Sequence, residues 1–191
     1  MILPLQFAVS SASDIFAAVA KASARQNLPL LVIGGHAINA YGYVRTTLDA
    51  DFLVCAGDFP AWRLVFEGFG YRWLGQTSAF AKLSPPETEP PSLPVDMMLV
   101  SRETFQKLQE GCRELEFGPT RLPVPQPLHL IALKLHAMKN DERRRLGKDL
   151  PDILQMIHLC GIDPKSKGFT DIVERYANSQ TRNLIKAALE Q

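Results

Sequence analysis

Residues 31–54, LVIGGHAINAYGYVRTTLDADFLV, constrain the fold more than any other stretch of this chain. The apolar run 30–33 reads as a short buried strand. Gly34-Gly35 terminates it, and residues 36–43 predict a short helix. Residues 48–55 alternate with period two and predict a second strand. A strand that runs into a glycine turn, a helix and another strand requires a sheet with helices packed on it. The alternation also puts Asp49 and Asp51 on one face. Leu48, Ala50, Phe52 and Val54 take the other, the face that packs.

The flanking segments extend this pattern. Residues 12–27 predict an amphipathic helix, with Ile15, Phe16, Val19 and Ala20 at helical spacing and Ser13 or Asp14 near its start. Asn27 and Pro29 end it. A helix is predicted from Asp58, its candidate cap, to Gly68, with Pro60 in the first turn. Residues 71–74 and 79–83 read as a hairpin about Gly75-Gln76-Thr77. Five prolines in residues 85–94 make that segment a surface loop, because proline donates no backbone hydrogen bond. Residues 95–100 (VDMMLV) form the next strand. Ser101 caps a helix to about Glu110, and residues 112–117 are a further strand. After Pro125 no strand is expected. Residues 127–139 form a helix with Leu128, Ile131, Ala132, Leu135 and Met138 on one face. Residues 149–159 form another, placed so that Pro151 falls in its first turn, and one or two more follow. The expected fold is α/β (α+β): a small mixed sheet flanked by helices over residues 1–125, then a helical C-terminal part over 126–191.

Composition sets the limits on function. With 46% hydrophobic and 21% charged residues, the chain is a soluble globular protein rather than a disordered, collagen-like or coiled-coil one. A net charge of +1 provides no global field to draw it onto nucleic acid or a membrane, so any polyanion site is a local patch. Cys55, Cys112 and Cys160 lie far apart and form no C-x-x-C, which fits a reducing cytoplasm better than a disulfide framework. No apolar run approaches a membrane span. The N-terminal stretch MILPLQFAVSSAS lacks a basic segment, and Gln6 interrupts its apolar run, which argues against a signal peptide.

The chemistry lies in the carboxylates. Asp49 and Asp51, two apart on one face, repel each other unless a cation compensates. Mg²⁺ is the usual cation for hard oxygen ligands beside phosphates. Asp96 stands in an otherwise apolar strand, with Val95 and Met97 facing the other way, and is costly to bury unless paired or metal-bound. Gly34-Gly35 lets backbone approach a ligand closely, and the helix that follows offers unpaired N–H groups to an anion. Together these features suit two-metal phosphoryl transfer.

Gly34-Gly35, Arg45, Thr47, Asp49, Asp51 and Asp96, in that order, resemble the nucleotidyltransferase superfamily of the polymerase-beta type. Its pattern is a glycine pair, a helix, a T-x-D-x-D strand and a later lone Asp. Residues 130–153 (LIALKLHAMKNDERRRLGKDLPDI) resemble the K-x-x-A and basic-D-x-x-D-I helices of the minimal and abortive-infection toxin-type members. The resemblance covers roughly residues 28–160. It implies transfer of a nucleoside monophosphate from an NTP such as ATP to RNA, protein or a small molecule, with pyrophosphate released. Two Mg²⁺ ions, or Mn²⁺ in their place, would be held by Asp49, Asp51 and Asp96, the last also deprotonating the acceptor hydroxyl. Gly34 and Gly35 would hold the triphosphate, with Arg45 and Thr47 beside it; His36, at the helix start beside the glycines, reads by its position either as a ligand contact or as a cap. Lys134 would reach a phosphate, and Lys148, Asp149 and Asp152 would shape the far wall. The implied partners are an NTP, tRNA or another RNA acceptor, and an antitoxin protein. The chain departs from the family at one position. Many members have Gly-Ser where it has Gly34-Gly35, so the backbone cradle lacks the usual hydroxyl contact.

Other readings attach to single residues. Lys134, flanked by Leu133 and Leu135, reads alone as a solvated helix residue, and Lys148 with Asp152 as an i,i+4 surface ion pair. Arg143-Arg144-Arg145, with Lys139 and Lys148, is either an RNA-phosphate patch or a solvated turn. His129, His136 and His158 have structural spacing only. For the whole chain, the alternative to an enzyme is a catalytically silent module of the same fold that binds a nucleotide or a partner.

Overall fold

A computed structural model of the chain describes residues 12–88, 91–140 and 142–189, with side chains for 15–88, 91–139 and 147–189. The chain divides into two compact units. One is Arg45–Pro125 with the chain up to Ala40, and the other is Tyr41–Val44 with the chain from Gln126 onward.

The first unit runs α1 (Ala12–Gln26), β1 (Leu31–Val32), α2 (Gly34–Ala40), β2 (Ala50–Cys55), α3 (Phe59–Gly68), β3 (Arg72–Gln76), β4 (Phe80–Ser84), β5 (Val95–Val100), α4 (Arg102–Gln109), β6 (Arg113–Phe117) and β7 (Thr120–Val124). Five strands form a mixed sheet in the order β1-β2-β5-β4-β3. Only β2 and β5 are parallel within it. β6 and β7 make a separate hairpin that packs on α1 and β1.

The core follows from the apolar pattern. Ile15, Phe16 and Val19 of α1 are buried together with Phe52, Val54 and Met97 from the sheet and Trp62 and Phe66 from α3. Asn27 ends α1 in the left-handed region that Asn tolerates. Ser101 caps α4 by accepting from the Thr104 N–H. Asp58 stands at the start of α3 but makes no side-chain cap there. Its carboxylate accepts instead from Arg102 at 3.1 Å.

Three expectations need correction in this unit. β2 begins at Ala50, so Leu48 is not a packing residue; it is 75% exposed. Beyond Asp51 the strand is buried on both faces, Leu53 as fully as Phe52, because β2 lies inside the sheet and helices cover both sides. Residues 120–124, not expected as a strand, pair with β6 across a turn at Gly118, which has positive φ. Pro123 masks this strand in the sequence, and is tolerated because a two-stranded ribbon leaves one edge of β7 without strand partners.

The second unit holds α5 (Pro127–Asn140), α6 (Glu142–Leu159), α7 (Lys167–Tyr176) and α8 (Ser179–Leu189). Leu130, Ile131, Leu135 and Met138 of α5 are buried, as are Ile153, Met156 and Ile157 of α6. α6 starts well before Asp149 and carries Pro151 inside it. The buried side chains beyond Pro151 hold the helix together through the missing hydrogen bond. No described helix is long and apolar enough to cross a membrane. The side chains of Arg143, Arg144 and Arg145, and the N-terminal stretch weighed as a signal peptide, lie outside the described residues.

Candidate active site

Asp51 and Asp96 are directly paired in register on the parallel strands β2 and β5. Parallel pairing of equivalent residues puts both side chains on one face. Asp49 lies in a bend just before β2 rather than in the strand. Its side chain still joins the others: one carboxylate oxygen from each of Asp49, Asp51 and Asp96 lies within 4.8 Å of the other two. All three residues are half-buried. Thr47 holds Asp49, its hydroxyl donating to the carboxylate at 3.2 Å. Thr47 therefore supports a carboxylate directly.

The donor set fits a hard divalent cation. Ligand oxygens about 2.0–2.1 Å from Mg²⁺ stand roughly 3–4 Å apart, so small rotations of these three side chains close the set on one ion. Three carboxylates with no sulfur or imidazole among them match Mg²⁺ or Mn²⁺ rather than Zn²⁺.

The two glycines make this arrangement possible. Gly34 has φ +65°, and a Cβ there would collide with the Asp51 carboxylate. A Cβ on Gly35 would lie 2.5 Å from Thr47 Oγ1 and 2.9 Å from Thr47 Cβ, with the Arg45 guanidinium at 3.1 Å. The Gly-Gly pair is thus required by the chain's own Asp51, Thr47 and Arg45. We expect Gly35→Ser, the serine that many members of the wider superfamily carry there, to push Thr47 off Asp49 and weaken divalent-metal binding about tenfold instead of improving it. Titration calorimetry with Mn²⁺ checks this, and tighter binding in the variant would contradict it.

Two further residues shape the site and were not found from the sequence. Asn39, near the end of α2, clamps the loop that carries Arg45 to Asp49. Its amide donates to the Arg45 carbonyl at 2.8 Å, and its carbonyl oxygen accepts from the Arg45 N–H at 3.2 Å. An amide side chain inside a short helix, where its propensity is poor, was the available signal. Lys82 lies opposite Asp96 on the antiparallel strand β4 and donates to its carboxylate at 2.8 Å. No sequence signal links these two residues, because the pairing depends on strand order.

His36 packs edge-on against Phe16, ring centroids 4.9 Å apart, and its Nε2 is buried without a hydrogen-bond partner among the described residues. Burial pushes its imidazole below the usual range, Asp49 pulls the other way, and Arg45 adds to the lowering. The folded protein therefore binds this proton less readily than the unfolded chain. The stability it contributes is complete above its ordinary value of 6.5 and is lost as pH falls from there toward the folded value. Urea midpoints should therefore drop as pH falls below 6.5, and His36→Asn should flatten that drop. An unchanged slope in the variant would assign the acid sensitivity elsewhere.

Lys134, Lys148, Asp149 and Asp152 belong to the helical unit. Lys134 on α5 reaches both Asp149 and Asp152 on α6, each at 2.7 Å. Its side chain is 11% exposed and those of the two carboxylates 3% and 0%. Lys134 is thus not the solvated residue that its leucine neighbours suggest, and Asp152 pairs across helices. Lys148 is exposed.

The mixed sheet with carboxylates converging from β2 and β5 is that of a polymerase-beta-type nucleotidyltransferase. The family model described as "Nucleotidyl transferase AbiEii toxin, Type IV TA system" matches residues 18–191, and the chain belongs to that family. No curated protein matches the chain in sequence. Among solved structures, ANT(2")-Ia in complex with adenylyl-2"-tobramycin aligns with a TM-score of 0.68 at 15% identity, over 86% of this chain and 98% of that one. An antigenic nucleotidyltransferase-like protein from Paracoccidioides brasiliensis aligns with a TM-score of 0.57 at 17% identity, over 94% and 92%. At these identities the likeness is one of fold.

Proposed function

We propose that this nucleotidyltransferase is divalent-metal dependent and moves a nucleoside monophosphate from an NTP to an RNA acceptor, tRNA being the first candidate, as the toxin half of a toxin–antitoxin pair. The observation that carries the metal-dependent reading is the convergence of Asp49, Asp51 and Asp96. The toxin role and the antitoxin partner rest on the family's description. An NTP donor and an RNA acceptor put the reaction in the cytoplasm.

Asp49, Asp51 and Asp96 would hold Mg²⁺, with two ions in the reading we favour. Bound there, the metal would neutralise phosphate charge and align the attacking and leaving oxygens. The protein's own residues do the positioning. Thr47 fixes Asp49 and Asn39 fixes the loop, so the carboxylates are ordered before substrate arrives. Asp96 accepts the proton from the acceptor hydroxyl. The acceptor oxygen attacks the α-phosphorus, the bond from that phosphorus to the bridging oxygen breaks, and pyrophosphate leaves. Gly34, Gly35, His36 and Arg45 border the triphosphate in this scheme. The absence of serine at position 35 gives no support to a silent relative, because Gly35 makes room for Thr47.

The test is incubation with each α-labelled NTP, Mg²⁺ or Mn²⁺, and total RNA. Label entering the tRNA band from one NTP supports the proposal. Label appearing only on protein or on a small acceptor such as an aminoglycoside, the class of product that ANT(2")-Ia holds, overturns the RNA assignment. No labelled product in any arm, with intact nucleotide binding, favours the silent module.

A further inference from the structure

Lys82 donates to Asp96 of the carboxylate trio, and its position follows from the sheet. β5 is flanked by β2 on one side and β4 on the other. Register puts Asp51 opposite Asp96 on the first side and Lys82 opposite Asp96 on the second. Directly opposed residues in a sheet project to the same face. Lys82 therefore approaches from the same face as the metal site, and its ammonium lies 2.8 Å from Asp96 Oδ2. Its side chain is 64% exposed and that of Asp96 is 30% exposed. A long, flexible, mostly solvated side chain is a reversible partner, able to release the carboxylate at small cost.

We propose that Lys82 is the resting counter-cation of the active site: it occupies Asp96 until a divalent ion displaces it, and so sets how readily the site loads metal. The inference rests on the reading of the trio as a metal site. Three carboxylates this close repel one another, and Lys82 offsets one of the three charges. A divalent ion that takes all three carboxylates removes the repulsion that makes the lysine useful there. The ammonium then returns to solvent, and the ion takes over its contact with Asp96.

Mn²⁺ binding to the full chain without nucleotide, followed by titration calorimetry, reads this competition directly. Lys82→Met and Lys82→Gln should bind Mn²⁺ about three- to tenfold more tightly than the native chain, and Lys82→Arg, which keeps the pair, should stay within about twofold of it. Removing any nearby positive charge strengthens cation binding somewhat, so the deciding arm is Asp96→Asn. With Asp96 neutral, Lys82→Met should no longer change Mn²⁺ affinity. A gain that persists in the Asp96→Asn background, an unchanged or weaker affinity in Lys82→Met and Lys82→Gln, or an arginine variant that behaves like the methionine variant each overturns the proposal. Absence of Mn²⁺ binding in every variant and in the native chain overturns the metal site itself, and this proposal with it. Equal, measurable binding in native and variant chains removes only the role of Lys82. Circular dichroism of each variant should match the native spectrum, as expected for a change at so exposed a side chain.

Discussion

Asp51→Asn should reduce nucleotidyl transfer by roughly 10³-fold or more, the loss expected when a metal-mediated stabilisation of several kcal/mol is removed. Asn keeps the shape of the side chain beside Gly34, so the close approach of β2 to the α2 glycines survives. It removes one of three mutually repelling charges, so the metal-free variant should be as stable as the native chain or slightly more so. What it loses is the response to ligand. Mg²⁺ with NTP binds only the folded native protein and should raise its melting temperature by mass action, and that shift should vanish in the variant. A variant that unfolds would make Asp51 a structural hydrogen-bond acceptor. A variant that folds and transfers at the native rate would remove this residue from catalysis.

The second large effect is expected at Lys134. Its ammonium is shared by Asp149 and Asp152, and all three side chains are nearly or fully buried. Lys134→Met leaves both carboxylates in the interior without the cation they share, a change that typically costs about 3–5 kcal/mol. The urea midpoint should fall accordingly. Replacing all three residues by apolar ones of similar size, Lys134→Met with Asp149→Leu and Asp152→Leu, should recover most of the stability, because the buried charges leave together. Activity then separates packing from chemistry. If the triple variant regains stability but not transfer, the cluster contacts nucleotide as well as holding α5 to α6. If it regains both, its function is structural.

These two clusters differ in how far the sequence discloses them. Asp96 stands out in VDMMLV because β5 alternates cleanly, with Val95, Met97 and Leu99 buried on the other face. Asp49 and Asp51 were legible as a pair, but for a partly wrong reason. Period two applies to Asp51, whereas Asp49 precedes the strand and is brought in by a bend and by Thr47. The glycine pair was legible as a close approach, but what approaches is Asp51 and Thr47. Lys82 and Lys134 were not legible in their pairings. One depends on which strands become neighbours, the other on how two helices face each other, and local pattern encodes neither. Leucines beside Lys134 made it look exposed, yet consecutive helix residues point in different directions and say little about each other's burial. Pro151 hid the first half of α6 because tertiary packing outweighs one lost hydrogen bond.

The most direct test of the central claim, that Asp49, Asp51 and Asp96 form one divalent-metal site, is a crystal soaked with Mn²⁺ and a non-hydrolysable NTP and measured at the manganese absorption edge. The account predicts an anomalous peak in contact with oxygens of all three carboxylates, with Lys82 withdrawn from Asp96, and no such peak in Asp51→Asn. Nucleotide bound with no anomalous peak among the three carboxylates, or manganese held elsewhere in the native chain, would contradict it.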